Sequence, residues 1–297
     1  MNVNNILMKA NLLYDCKCEL AEGPWWHATW NSFLWVDIEG GHLYRYNLSD
    51  GQVTTWDFPH RLTLVIEASA EKLLLALDAK IALFDPKTES LEWLLDLHPE
   101  DPSMRCNDGA CDPQGRLWVG TMSLEMTEGA ASLYRIGKDR KPHQVISSVT
   151  ISNGLCWSLD GKMMYYIDSP TQKVQAFDFD PITGEITFKK DVILVPEELG
   201  TPDGMCMDEN GLLWVGHYGG SGVYCWNPET GKVVDKIEVP APNVTSCAFG
   251  GPDGKQLLIT TARENMTAEK LSEFPQSGSV FSAGMPVKGA PVFSSSL

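Results

Sequence analysis

The sequence predicts an all-β protein, a six-bladed β-propeller of four-stranded antiparallel blades with its ring closed by the N-terminal strand. One observation is a recurring phrase: a polar turn, a short β-rich run, a second run ending in an aromatic residue, then another turn. Its copies include "WNSFLWVDIEGGHLYRYNL", "SAEKLLLALDAKIALFDPKTESLEWLL", "SLDGKMMYYIDSPTQKVQAFDFDPITGEI" and "DENGLLWVGHYGGSGVYCWNPETGKV". The landmarks Trp35, Leu75, Trp118, Tyr165, Trp214 and Leu258 stand roughly 40 to 49 residues apart, the length of one blade. A second observation is the period within each copy. Tyr44, Tyr46 and Leu48 alternate with Arg45 and Asn47, as in a strand, and no helical pattern of comparable length competes.

In chain order, "YDCKCEL" comes first, with Tyr14, Cys16, Cys18 and Leu20 alternating against Asp15, Lys17 and Glu19. It predicts a half-buried strand that pairs with the last blade and hides an edge otherwise open to aggregation. The six copies follow, and "FDPKTESL", "FDPITGEI" and "WNPETGKV" place Pro with Gly or Ser at hairpins between the outer strands. Near the end "MTAEKLSEF" alone suggests a short helix. Residues 1–297 are expected to form one propeller domain without linkers.

Composition narrows the partners. The 297 residues are 43% hydrophobic and 21% charged, with 26 Gly, 18 Pro and 10 Trp, which suits an ordinary globular protein rich in turns. A formal net charge of −16 argues against sequence-independent binding to nucleic acid or anionic membranes, both of which want clustered Lys and Arg. No stretch approaches the roughly 20 apolar residues of a membrane span, and the start lacks the pattern of a secretory signal. A cytoplasmic monomer or weak homo-oligomer acting on a small molecule is expected. The eight cysteines show no metal-like Cys-x-x-Cys pairing.

The repeat also sorts the aspartates, because equivalent positions in each copy must lie on one ring about the axis. Asp112-Pro-Gln-Gly115, Asp160-Gly161, Asp208-Glu-Asn-Gly211 and Asp253-Gly254 share one slot, with the Asp and Gly of β-turns. A second slot, a few residues earlier, reads Glu22-Gly23, Asp108-Gly109, Asn153-Gly154 and Asp203-Gly204. Here four oxygen-bearing side chains would converge on one end of the channel. Carboxylates that close repel, so a bound cation or raised pKa values are expected. A set without His or Cys suits a hard ion such as Ca²⁺, Mg²⁺ or Mn²⁺, with Zn²⁺ and Fe²⁺ as alternatives. Another turn, capped by Asx hydrogen bonds, is the competing reading of the same slot.

Other chemistries lack support. The chain has no Gly-x-Ser-x-Gly elbow, Walker loop, His-Glu-x-x-His or dinucleotide fingerprint. His27 and His217, the histidines nearest the segments of interest, are expected on the surface or in blade packing. Cys111, Cys156 and Cys206, each two residues after a slot glycine, are expected as buried small apolar fillers. The tryptophans serve the core, with Trp25 and Trp26 as candidate exceptions.

The segments "AEGPWW", "RCNDGACDPQGRLWVGTM", "SNGLCWSLDGKMMYYIDS", "TPDGMCMDENGLLWV" and "TSCAFGGPDGKQLLITTAR" together resemble, in order and over nearly the whole chain, the senescence marker protein/gluconolactonase/luciferin-regenerating enzyme family. The resemblance implies a six-bladed propeller with one divalent metal in its channel, hydrolysing aldonolactones to aldonic acids. It implies Glu22, Asn153 and Asp203 as metal ligands, Ca²⁺ being the first expectation and Zn²⁺, Mn²⁺, Mg²⁺ or Fe²⁺ the others. Arg105 and Asn107 of "RCND" match a substrate-binding pair, and Glu125 falls where a further substrate contact is expected. Asp203 would also be the general base, and Asp108 would act through water or as support to the ligands. A non-catalytic Ca²⁺-binding regulatory propeller of regucalcin type is the main rival. An esterase or phosphotriesterase propeller is a second rival, weakened by the lack of His in the slot.

Overall fold

The structure is a computed structural model that describes residues 8–297. Two short strands come first, β1 (Met8–Lys9) and β2 (Asn11–Tyr14). Blade one is β3 (Ala21–His27), β4 (Ser32–Asp37), β5 (His42–Asn47) and β6 (Val53–Asp57). Blade two is β7 (Leu62–Glu67), β8 (Leu73–Leu77), β9 (Lys80–Asp85) and β10 (Ser90–Asp96). Blade three is β11 (Met104–Cys111), β12 (Leu117–Ser123), β13 (Ala131–Ile136) and β14 (Pro142–Val149). Blade four is β15 (Ser152–Trp157), β16 (Met163–Asp168), β17 (Lys173–Phe179) and β18 (Ile186–Leu194). Blade five is β19 (Thr201–Met207), β20 (Leu213–Tyr218), β21 (Gly222–Asn227) and β22 (Lys232–Glu238). Blade six is β23 (Val244–Gly250), β24 (Gln256–Thr261) and β25 (Val280–Gly284), completed from the N-terminal side by β2.

Each blade is an antiparallel meander, and all six landmark residues lie on its second strand. The ring closes as expected, with β2 antiparallel to β25 in the register Leu12↔Phe281. The closing strand sits earlier than "YDCKCEL" suggested, however, and shares only Tyr14 with it. Lys17 adopts φ +52°, which ends any extended run, and the Asp37 carboxylate accepts from the Glu19 and Leu20 amides instead of a strand partner. Cys18 is still buried, its amide donating to Gly278 O. The sequence pattern did not suggest β1, which adds a fifth, parallel strand to blade five beside β22.

The core lies between neighbouring blades. Trp118, Trp157 and Phe179 meet edge to face across blades three and four, with ring centroids 5.9–6.0 Å apart. Leu34, Val36 and Leu43 pack on Leu62, Val65 and Leu75 across blades one and two. The predicted helix is present as Ala268–Glu273, capped by Thr267.

The turn slot behaves as its chemistry requires. Asp208 Oδ1 accepts from the Asn210 and Leu212 amides at 2.9 and 3.0 Å, and its Oδ2 accepts from Trp214 Nε1 at 3.0 Å. Asp112 repeats the arrangement with Gln114, Arg116 and Trp118. In both blades the aspartate ties the turn to the buried landmark tryptophan.

The innermost strands β3, β7, β11, β15, β19 and β23 surround the channel. Each loses regular pairing with its neighbour at the second slot, between Glu22 and Trp25 in blade one, Ser152 and Leu155 in blade four, and Pro202 and Met205 in blade five. Such bulges turn a side chain out of the alternating pattern, here towards the axis. Glycine follows because the strands are crowded: a Cβ on Gly154 would stand 2.7 Å from Asp203 O and 2.8 Å from Met205 N. Residues 289–296 cross the opposite end of the channel, through Ala290 N to Met207 O, Ser295 N to Glu67 O and Ser296 N to Gly115 O.

Candidate functional site

Glu22, Asp108, Asn153 and Asp203 come from the innermost strands of blades one, three, four and five, at the bulges just described. Glu22, Asn153 and Asp203 are 9%, 5% and 8% exposed, so this ring is almost closed to water. Burial pushes the Glu22 carboxyl well above the ordinary carboxylate range, with Asp203 and Asp108 adding repulsion. Asp203 is raised by burial and then by the charges of Asp108 and Glu264. Asp108 is pushed up to about 6 by burial, partly offset by the Gly109 amide, which donates to its Oδ1 at 2.7 Å. These carboxyl groups share one enclosed space and work against one another there.

Asn153 completes the ring in a definite orientation. Its Nδ2 donates to Ser169 Oγ at 2.9 Å, while its Oδ1 is buried with no hydrogen-bond partner among the described residues. An orphaned buried acceptor normally costs about 1–3 kcal/mol. Two crowded carboxylates and one unsatisfied carbonyl oxygen are together the donor set a hard cation satisfies. Glu22, Asn153 and Asp203 therefore fit a divalent ion. Among the described residues no three His, Cys, Asp or Glu side chains gather as a ligand group, so two carboxylates with the Asn153 amide are what the ring offers.

Arg105 and Asn107, at the start of β11, are 6% and 8% exposed. Arg105 Nη1 donates to Asn107 Oδ1 at 2.5 Å and to Cys106 O at 2.9 Å, and Asn107 Nδ2 donates to Ser152 O at 2.7 Å. A backbone carbonyl only accepts, so Ser152 fixes which end of the Asn107 amide faces Arg105. The guanidinium favours the ionised forms of Glu22, Asp203 and Glu264 and so joins the ring electrostatically.

Glu125 is placed differently. It stands on an exposed turn after β12, its amide donating to Ser123 Oγ, and its side chain has no hydrogen bond or ion pair to the ring among the described residues. Because Ser123 pairs with Met104, that turn lies at the same end of the channel as Arg105.

Beyond the ring, towards the end crossed by residues 289–296, the channel widens into a cavity of about 120 Å³, lined by Trp25, Trp157, Met205, Phe249, Cys156 and Cys206 among others. Trp25 and Trp26 are thus channel-lining residues as well as packing ones. Cys111 is buried as expected, Cys156 and Cys206 are only half-buried, and all three line this cavity. Burial raises all three thiols, Cys111 to about 12, which leaves none poised as a nucleophile. His217 packs within blade five, bonded to Leu199 O and accepting from Trp226 Nε1, with its pKa lowered to about 4 by burial. His27 is fully buried against Trp30. Ser152 and Ser169 were not singled out in the sequence. No sequence pattern pointed to them; the pairing Ser152↔Asp168, with Ser169 next in line, brings both to the same end of blade four.

A six-bladed propeller with an enclosed acidic ring beside a buried Arg–Asn pair defines a class of channel-site propellers. Residues 20–263 match the model of the SMP-30/gluconolactonase/LRE-like region, and the chain belongs to that family. YvrE of Bacillus subtilis (strain 168), provisionally named a sugar lactone lactonase, is 38% identical over 282 residues, covering 95% of this chain and 97% of that protein. Regucalcin of Danio rerio is 37% identical over 290 residues, covering 97% and 98%. Among solved structures, regucalcin from Agrobacterium tumefaciens, described as a calcium-binding protein, superposes with a TM-score of 0.91 at 29% identity over 97% of each chain. Among the described residues no helix is long and apolar enough to cross a membrane.

Proposed function

We propose that the protein is a metal-dependent sugar lactonase, hydrolysing an aldonolactone to its aldonic acid. The observation that carries this reading is the enclosed ring itself, with Glu22, Asp203 and the unpartnered Asn153 Oδ1 beside the buried Arg105–Asn107 pair. Membership of a family that includes gluconolactonases supports it.

Glu22, Asn153 and Asp203 would hold the cation. When bound, a divalent ion there supplies Lewis-acid polarisation of the lactone carbonyl and favours a nucleophilic water. The Asp203 carboxylate takes the proton from the attacking water, since it lies in the ring and is held beside the Ser169–Pro202 contact. Arg105 turns its remaining N–H groups to the charge that develops on the carbonyl oxygen, in a site dry enough for such bonds to be strong. The free Asn107 N–H orients a ring hydroxyl, and Glu125, at the same end, accepts from another. Asp108 stays outside the ligand set and disfavours further negative charge in the ring.

Simple ion binding needs neither Arg105 nor Asn107, and their burial beside the ring favours catalysis over a purely regulatory Ca²⁺ role. Asp203→Asn is the test. It should abolish proton release from aldonolactones while the circular dichroism spectrum stays unchanged, and full activity in this variant would remove Asp203 from the mechanism.

A further inference from the structure

Asn153 can serve a cation only through its oxygen, and something must keep that end of the amide facing the ring. Two neighbours on one chain of hydrogen bonds decide this. Ser169 Oγ donates to Pro202 O at 2.7 Å and accepts from Asn153 Nδ2 at 2.9 Å. The Pro202 carbonyl can only accept, so the single hydroxyl proton of Ser169 is committed to it. Towards Asn153 the hydroxyl then has only lone pairs to offer. The amide must present its N–H₂ to Ser169, and its Oδ1 is left pointing the other way, buried and without a partner among the described residues.

Ser169 is itself well held. It is 5% exposed, opens the short 3₁₀ turn Ser169–Thr171 that follows β16, and its amide donates to Ile151 O. The chain Asn153–Ser169–Pro202 thus runs from blade four to blade five and ends on the residue preceding Asp203. It links the strands carrying two of the three ring residues and sets the polarity of one of them.

We propose that Ser169 is the positioning residue of the cation site, fixing the Asn153 amide with its oxygen towards the ring through a proton committed to the Pro202 carbonyl. This rests on the reading of Glu22, Asn153 and Asp203 as cation ligands. The Asn153 side chain already favours the ionised Asp203; without the Ser169 hydroxyl nothing holds its polarity, and Nδ2 could turn fully onto the ring carboxylates. That competes directly with a cation for the same oxygens.

The test is calorimetric titration of chelated protein with Ca²⁺ and, separately, Mn²⁺. Loss of a partner that orients a ligand typically weakens binding roughly 10–100-fold, and Ser169→Ala should fall in that range. The discriminating arm is Asn153→Asp, whose two carboxylate oxygens are equivalent and need no orienting. In that background Ser169→Ala should change affinity less than about threefold, whereas a merely structural role for Ser169 would cost the same in both. Should Ser169→Ala not fold, Ser169→Cys, of similar size and a poorer acceptor, carries the same comparison. Unchanged affinity in the single variant, or equal losses in both backgrounds, overturns the proposal. If the wild-type protein binds neither cation, the ligand reading itself fails and the proposal with it, which is a distinct result from wild-type binding that Ser169→Ala leaves intact.

Discussion

Asp203 and Asp208 are five residues apart on one strand and the turn after it, and their substitution by Ala should have opposite effects. Asp208→Ala removes the acceptor of three hydrogen bonds, from the Asn210 and Leu212 amides and from Trp214 Nε1. Water can reach the two turn amides, but Trp214 is 3% exposed and its indole N–H would be stranded. A stranded buried donor costs about 1–3 kcal/mol, and the lost turn bonds bring the total to about 3 kcal/mol. For a chain of this size that lowers Tm by roughly 5 °C. Activity per folded molecule should be retained well below the new Tm. Asp203→Ala instead removes a buried carboxyl crowded by Asp108 and Glu264, so the metal-free variant should melt at or above the wild-type temperature, with hydrolysis lost. Differential scanning calorimetry of both chelated variants, with a pH-stat assay of each, provides the comparison. The reasoning fails if Asp208→Ala melts within about 2 °C of wild type, or if Asp203→Ala loses as much stability as Asp208→Ala.

Three further outcomes are expected. Gly154→Ala places a methyl group against the blade-five backbone at Asp203 O and Met205 N, and should cost about 1–3 kcal/mol while weakening cation binding, read by melting and by calorimetric titration. His217 has a folded pKa of about 4 against an ordinary 6.5, so the unfolded chain takes up its proton first as pH falls. Its contribution is complete above pH 6.5 and is lost between 6.5 and 4, by about 3 kcal/mol, so His217→Gln should flatten that part of the stability curve in urea titrations. An unchanged pH dependence in the variant would contradict the assignment. Arg105→Lys keeps a charge but not the planar set of donors, and should lower kcat/KM on aldonolactones by at least about tenfold without altering Ca²⁺ affinity.

The architecture was legible because the blades repeat. Once Trp118 and Trp214 occupied one register, the turn aspartates and the ring residues separated, and the structure places Glu22, Asn153 and Asp203 on innermost strands at equivalent bulges. What the pattern hid was set by contacts distant in sequence. The alternation of Tyr14 to Leu20 suggested a strand, but Asp37 captures the Glu19 and Leu20 amides and Lys17 leaves the extended region. The polarity of Asn153 depends on Ser169 and Pro202, which lie 16 and 49 positions further along the chain. Cys206 and Cys247, with sulfurs 3.6 Å apart on neighbouring blades, are 41 residues apart in sequence. Glu125 followed from resemblance alone, and its exposed turn gives it no contact with the ring.

The central claim is that a cation in the Glu22–Asn153–Asp203 ring drives lactone hydrolysis. The most direct measurement is proton release from a panel of five- and six-carbon aldonolactones by chelated protein, with Ca²⁺, Zn²⁺, Mn²⁺, Mg²⁺ and Fe²⁺ restored one at a time. Hydrolysis above the spontaneous rate should return with at least one ion on at least one lactone, and be absent from Asp203→Asn under the same conditions. A wild-type protein that binds these ions yet accelerates none of the lactones would contradict the account.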